Sequence, residues 1–148
     1  MKIVIVGSIE LSDKLIEMSN ELEIRGIETF LPHSTEKIKA GELTLDEYRA
    51  RKAADGGDFV LRQTSNIDFI KDHYNAIKDS DGILVVNFDK KRIKNYIGGN
   101  ALMELGFAYT MDKPIYLYND IPEMPYTDEI KAVKPIVING DLSKIKAR

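Results

Sequence analysis

A three-layer α/β sandwich around a parallel sheet is the fold this sequence predicts, and three observations predict it. Five short apolar runs are spread along the chain, at residues 2–6, 27–32, 81–87, 114–118 and 134–140. Their cores are nearly continuous rather than alternating, as in strands buried on both faces. Between runs lie segments with apolar residues at helical spacing, and strand–helix–strand alternation implies right-handed crossovers. The 148 residues suit one domain over 1–148, and 43% apolar residues suffice for its core.

Each element has its own signal. "KIVIV", 2–6, is closed by Gly7. Ser12 is placed to cap a helix over 13–25, with Leu15, Met18 and Leu22 on its inner face, and Gly26 can end it in the left-handed conformation. "IETFLP", 27–32, is a second strand, stopped by Pro32. Residues 33–65 hold no convincing strand; Leu43, Glu47 and Arg51 fit one face of a short helix, which "AADGGD", 53–58, interrupts. This stretch reads as an insertion serving as a lid or dimer arm, or as a tolerated loop. A helix over about 66–78 follows, with Ile67, Ile70, Tyr74 and Ile77 on its buried face. "DGILVVN", 81–87, is the third strand, a helix over 99–111 comes next, and "PIYLY" and "KPIVING" are the fourth and fifth strands.

Composition narrows the function classes. A net charge of -3 gives no basic footprint for nucleic acid. "MKIVIVG" is too short for a signal peptide, and no stretch approaches 18 apolar residues, so a cytoplasmic protein without membrane partners is expected. Cysteine is absent, which removes disulfides and thiolate chemistry. His33 and His73 lie far apart and outside any metal-binding spacing, so no metal is expected.

In such sheets a ligand sits beyond the carboxyl ends of the strands, near the change in strand order. Three segments reach that edge: 7–10, 87–100 and 119–130. Gly7 and Ser8 either offer an amide and a hydroxyl to an anion or simply make a turn. There is no GxGxxG after the first strand and no GxxxxGK[ST], so no nucleotide cofactor is expected. The basic run 89–94 either steers a phosphate or is a solvated loop. Glu104 stands in an apolar helical run after Gly98 and Gly99. Asn100, Glu104 and Ala108 share one face, with Leu102, Leu105 and Tyr109 covering much of the rest. Gly98, Gly99 and Ala101 leave room beside the carboxylate. Two readings stay open: an acid answering the helix dipole, or a partly desolvated carboxylate in a pocket.

The combination "DSDGILVVNFD…GGNALMELGFAYTMDKPIYLY", together with "IVIVGSI" at 3–9, resembles the nucleoside 2-deoxyribosyltransferase-like superfamily, which includes deoxyribosyltransferases and 2′-deoxynucleoside 5′-phosphate N-hydrolases. The resemblance covers the edges of the domain well and its centre poorly. It implies a flavodoxin-like, Rossmann-type sheet of five parallel strands in the order 2-1-3-4-5. It places the nucleophilic glutamate on Glu104, which would attack the anomeric carbon and displace the base, with net retention. A first-strand serine falls on Ser8, against the sugar phosphate or hydroxyls. An aspartate of the helix before the third strand falls within a residue of Asp72, with His73 at the ungapped position. A polar residue lent by a neighbouring subunit falls on Thr127, beside Asp128, and so a homodimer or higher oligomer is implied. One departure is that Gly98 stands where the family tends to carry Asp or Ser.

Three functions follow as expectations. The first is cleavage or exchange of the N-glycosidic bond of a 2′-deoxynucleoside or its 5′-monophosphate, with Glu104 and Asp72 catalytic and Gly7, Ser8, Gly98, Gly99, Asn100 and Thr127 binding substrate. The second is a nucleotide-binding or sensing module that has lost the chemistry, which Gly98 favours. The third is a structural oligomer using 33–65 as an arm.

Overall fold

The computed structural model describes residues 1–54 and 68–146. Five strands, β1 (Lys2–Val6), β2 (Glu28–Phe30), β3 (Gly82–Val85), β4 (Ile115–Leu117) and β5 (Ile136–Val137), form one sheet in the order β2-β1-β3-β4-β5. All four pairings are parallel. This is the flavodoxin-like arrangement that the apolar runs and the resemblance implied. β1 spans its whole run, whereas β2 to β5 are shorter than the runs announcing them, because the outer residues of those runs enter turns.

Alternation along the central strands builds a core on each face of the sheet. Ile3, Ile5, Leu84 and Val86 pack on one side against Leu15, Met18 and Leu22 of α1 (Ser12–Ile24). Val4, Val6, Ile83 and Val85 face the other way. There they meet Ala76 and Ile77 of α4 (Phe69–Lys78), Leu105 and Ala108 of α5 (Gly99–Thr110) and Ile130 of α6 (Thr127–Ala132). Each fully buried leucine or isoleucine contributes about 1.5–3 kcal/mol by leaving water. Gly82, at the start of β3, allows a close approach: a Cβ there would lie 2.9 Å from both the carbonyl oxygen and Cγ of Pro114. Gly26 ends α1 with φ +79°, in the left-handed conformation expected of it.

Several expectations need correction. Ser12 does not cap its helix. A 3-10 turn, Ile9–Leu11, precedes α1, and Ser12 lies inside the first turn, donating to the Ile9 carbonyl (2.6 Å) and bonding the Thr35 hydroxyl (3.0 Å). Residues 33–54 hold two helices, α2 (His33–Lys39) and α3 (Leu45–Ala54), of which the second is the short helix expected there and the first was not expected. The Thr44 hydroxyl accepts from the Glu47 amide (3.1 Å), which starts α3 as a capping residue. The inward residue of α3 is Tyr48, while Glu47 and Arg51 are exposed and Leu43 is buried in the link before the helix. In α4 the buried face is His73, Ala76 and Ile77; Ile70 and Tyr74, each 41% exposed, lie on its flank. Ile67 and most of "AADGGD" fall outside the described residues. No helix among the described residues is long and apolar enough to cross a membrane.

Candidate functional site

The strand order reverses at β1, whose neighbours are β2 and β3. A cavity of about 290 Å³ opens there, at the carboxyl ends of β1 and β3. This is where an open α/β sheet places its ligand, and the volume is at the small end of ligand-sized pockets. Gly7 and Ser8 form one wall, and Gly98, Gly99 and Asn100, at the start of α5, form another. The loop between β3 and α5 is anchored by two buried or half-buried amides. Asn87 donates to the carbonyls of Asn119 and Asp120 (3.1 Å each) and accepts from the Asn119 amide (2.9 Å).

Glu104 lines this cavity from the second turn of α5. Its face of the helix runs from exposed Asn100 through mostly buried Glu104 to fully buried Ala108. Leu105 is fully buried, whereas Tyr109, 48% exposed, covers nothing of the site. Glu104 Oε1 lies 2.8 Å from Nδ1 of His73, and both side chains are about nine-tenths buried, at 13% and 10% exposure. The approach is out of line with the ring N–H, so His73 Nδ1 has no aligned hydrogen bond among the described residues. The imidazole is wedged edge-on against Phe30 of β2, with ring centres 5.5 Å apart. One carboxylate oxygen is thus in close contact with His73, while Oε2 has no hydrogen-bond partner among the described residues.

The cavity has an apolar side and a cationic side. Phe69 and Ile70 of α4 and Met103 and Phe107 of α5 supply the first. Lys90 and Lys52 supply the second, with Ser8 between the loop and the sheet: Lys90 Nζ donates to Ser8 Oγ at 2.5 Å. Burial, with Lys91 and Lys52 nearby, pulls the Lys90 ammonium below the usual lysine range. Tyr48 lines the same region, and burial beside Glu10 pushes its phenol up. Glu10 itself is taken by Arg49, whose guanidinium donates to one of its oxygens from Nε (2.8 Å) and Nη2 (2.7 Å). That hydrogen bond holds Glu10 below its ordinary value.

Of the residues singled out in the sequence, the structure brings Gly7, Ser8, Gly98, Gly99, Asn100 and Glu104 to one cavity. Asp72 is exposed and does not line it; the next residue, His73, does. Helical geometry is the reason, since only one of two successive residues can face α5. Thr127 is also outside the cavity of its own chain. Its hydroxyl accepts from the Met124 amide (2.7 Å) and lies 2.8 and 2.9 Å from the Pro122 and Met124 carbonyls. The segment 119–130 supports the site from behind, through Tyr126, whose hydroxyl donates to the Ile97 carbonyl (2.5 Å). Gly98 has the Tyr96 ring 3.2 Å from where a Cβ would stand, so that ring occupies the place of a polar side chain. Sequence reasoning missed Lys52, Tyr48 and Tyr96. For Lys90 the basic run was the available signal. Among the described residues no three His, Cys, Asp or Glu side chains gather as a metal site would require.

Compared with known proteins, the chain matches no family profile and no curated protein. Among solved structures it is similar to that of Clostridium botulinum CMP N-glycosidase, BcmB, at 15% identity and a TM-score of 0.45, over 94% of this chain and 90% of that one.

Proposed function

We propose that this protein cleaves the N-glycosidic bond of a 2′-deoxynucleoside or its 5′-monophosphate, with Glu104 as nucleophile. The observation that carries the reading is the Glu104–His73 pair on the wall of a cavity at the switch point of the sheet. The sequence resemblance supports it independently, since its nucleophilic glutamate falls on the same residue. His73 stands against Oε1, which leaves Oε2 to attack the anomeric carbon. As the C1′–Oε2 bond forms, the C1′–N bond breaks and its electron pair leaves with the base, which takes a proton from solvent water; the same proton count is restored when the attacking water or second base gives one up. Water, or a second base, then attacks C1′ from the vacated face, giving net retention and freeing the carboxylate. Phe69, Ile70, Met103 and Phe107 offer the departing base an apolar face. The role first sought at Asp72 passes to His73, the group that touches Glu104.

The test is to incubate the protein with deoxynucleosides and their monophosphates, with and without an acceptor base, and to follow base release and exchange by chromatography. Glu104→Gln should lower turnover by about 10⁴-fold or more while binding survives. Unchanged turnover in both Glu104→Gln and Glu104→Ala would overturn the assignment.

A second reading is a nucleotide-binding module without chemistry. Gly98 favours it, because the Tyr96 ring stands where the resemblance implies a polar partner for the substrate. Binding with no release or exchange of base by the wild-type protein would select it.

A further inference from the structure

Ser8 and Lys90 form a pair that local structure does not ask for. Ser8 is the cap residue of the 3-10 turn Ile9–Leu11, where a serine side chain ordinarily accepts from an amide of the turn. Here it makes no such bond. Its Oγ lies instead 2.5 Å from Lys90 Nζ, across 82 residues of chain. Among the described residues neither group has another hydrogen-bond partner. Both are held in place. The Ser8 carbonyl accepts from the Leu11 amide (2.9 Å). Lys90 opens a hairpin, exchanging backbone hydrogen bonds with Ile93 (3.1 and 2.9 Å), and Lys91 and Arg92 make its two-residue turn with φ of 52° and 62°. Such turns favour Asn and Gly, because a longer side chain is crowded in the left-handed region. The hairpin is nonetheless pinned at its base, where the Tyr96 amide donates to the Phe88 carbonyl (3.0 Å) and the Asn95 amide to Asp89 Oδ1 (3.0 Å). Strain kept in this way at a cavity edge points to a function for the group it presents.

A lysine beside a serine acts in one of two ways. As an ammonium it donates, and the pair is only a polar contact. As an amine it takes the hydroxyl proton and makes Oγ a nucleophile. Burial, with Lys91 and Lys52 nearby, pulls Lys90 below the usual lysine range and so toward the amine. Glu10 acts the other way, but Arg49 already holds its carboxylate from Nε and Nη2. The Tyr96 ring, centred 5.6 Å from Nζ, also favours the cation while keeping Nζ in place. Ser8 and Lys90 share the cavity with the start of α5. There the first intrahelical bond runs from the Leu102 amide to the Gly98 carbonyl (2.9 Å), and no side chain caps the amides before it. Unpaired N–H groups of this kind suit the oxyanion of a tetrahedral intermediate. The apolar wall suits an acyl chain, and a volume of about 290 Å³ keeps that chain short.

We infer that Ser8 and Lys90 are a nucleophile–base dyad that hydrolyses short-chain carboxylic esters, an activity separate from the one read at Glu104. Ser8 Oγ bonds to the ester carbonyl carbon as its proton passes to the Lys90 amine, and the carbonyl π pair moves to oxygen. The tetrahedral adduct collapses, the C–O bond to the alcohol breaks, and the alcohol leaves with the proton from Nζ. Water then adds to the acyl-serine, giving its proton to Nζ, and Oγ departs and recovers that proton. The sum is ester plus water to acid plus alcohol, with the dyad restored.

The experiment follows steady hydrolysis of p-nitrophenyl acetate and butyrate, and the adduct formed with a fluorophosphonate, located by mass spectrometry of peptides. Wild-type protein should turn over the esters and carry the adduct on Ser8. Ser8→Ala and Lys90→Met should each lower turnover by about 100-fold or more, and the double variant should lower it no further, as for residues acting as a unit. Lys90→Arg separates base from charge, because a guanidinium cannot give up its proton and so cannot accept one. It should be as inactive as Lys90→Met. Turnover should rise with pH as Lys90 loses its proton, and level off below the ordinary lysine value of about 10.4. Circular dichroism of each variant verifies folding. Turnover that survives in folded Ser8→Ala or Lys90→Arg overturns the inference, and so does the lack of both turnover and Ser8 adduct in wild-type protein. The same assays on Glu104→Gln keep the two readings apart. Ester turnover that persists there belongs to Ser8 whatever becomes of base release, whereas turnover lost with Glu104 overturns the inference.

Discussion

At the scale of single residues, the two candidates on α4 separate cleanly. Asp72 is solvent-exposed and His73 is buried against Glu104. Asp72→Asn should leave turnover within about twofold of wild type, as surface substitutions do. His73→Asn should lower it by about 10- to 100-fold, because a buried carboxylate loses the group that holds its orientation. Rates of base release under saturating monophosphate check both, and equal losses in the two variants would return the role to the aspartate. A second residue-level outcome follows from Glu10. Its carboxyl titrates below the ordinary value of 4.5 because Arg49 hydrogen-bonds the ionised form. The pair therefore contributes stability that is fully present above about pH 4.5 and is lost as pH falls through the lowered folded value. Because Arg49 belongs to α3 and Glu10 to the turn after β1, acid should loosen α3 from the cavity. Denaturant titrations of wild type and Arg49→Met should show a gap at about pH 7 that closes toward about pH 3.

At the scale of elements, parallel strands announce themselves because burial on both faces demands continuous apolar runs. "ILVV" and "IVIV" were therefore readable without the structure. Helices are readable only where one face is apolar. α1 has Leu15, Met18 and Leu22 at that spacing, but α3 buries Tyr48 alone among charged neighbours and so carries no periodic signal. α4 misled for the opposite reason. Ile70 and Tyr74 are apolar and at helical spacing, yet one lines the cavity and the other packs its ring on Phe107 of α5, with centres 5.3 Å apart. The inward place between them belongs to His73, whose burial depends on Phe30 and Glu104, far off in sequence. The hairpin of residues 90–93 carries its own prediction. Arg92→Gly relieves one left-handed residue and should raise stability by about 1 kcal/mol or less, since glycine's greater freedom when unfolded offsets part of the gain. Gly82→Ala should do the reverse. Its Cβ would meet the Pro114 carbonyl at 2.9 Å, forcing β3 and the start of β4 apart at a cost of about 1–3 kcal/mol. Thermal unfolding of the two variants measures both signs.

At the scale of the whole molecule, the apolar surface left uncovered is concentrated beside the cavity. Of the seven large hydrophobic side chains exposed among the described residues, four lie on one pair of helices: Ile70 and Tyr74 on α4, Met103 and Tyr109 on α5. Ile70 and Met103 also line the cavity, so whatever covers this face helps to close the site. We propose a second copy of the chain, as the sequence resemblance implies, docked so that the α4–α5 faces meet. Such an association removes apolar area from water and screens the Glu104–His73 pair, which strengthens its electrostatics. Thr127 enters this picture only if its hydroxyl, now bonded within its own loop, turns outward on assembly. Light scattering at low micromolar concentration should give twice the 16.8 kDa chain mass, or a higher multiple. Tyr74→Glu combined with Tyr109→Glu places two carboxylates in the contact and should return the monomer mass, because like charges facing each other across it are desolvated without partners. Neither residue lines the cavity, so a monomeric double variant that keeps the circular dichroism of wild type but loses base release would show that the site needs its neighbour. A wild-type protein that is monomeric at that concentration would overturn the arrangement.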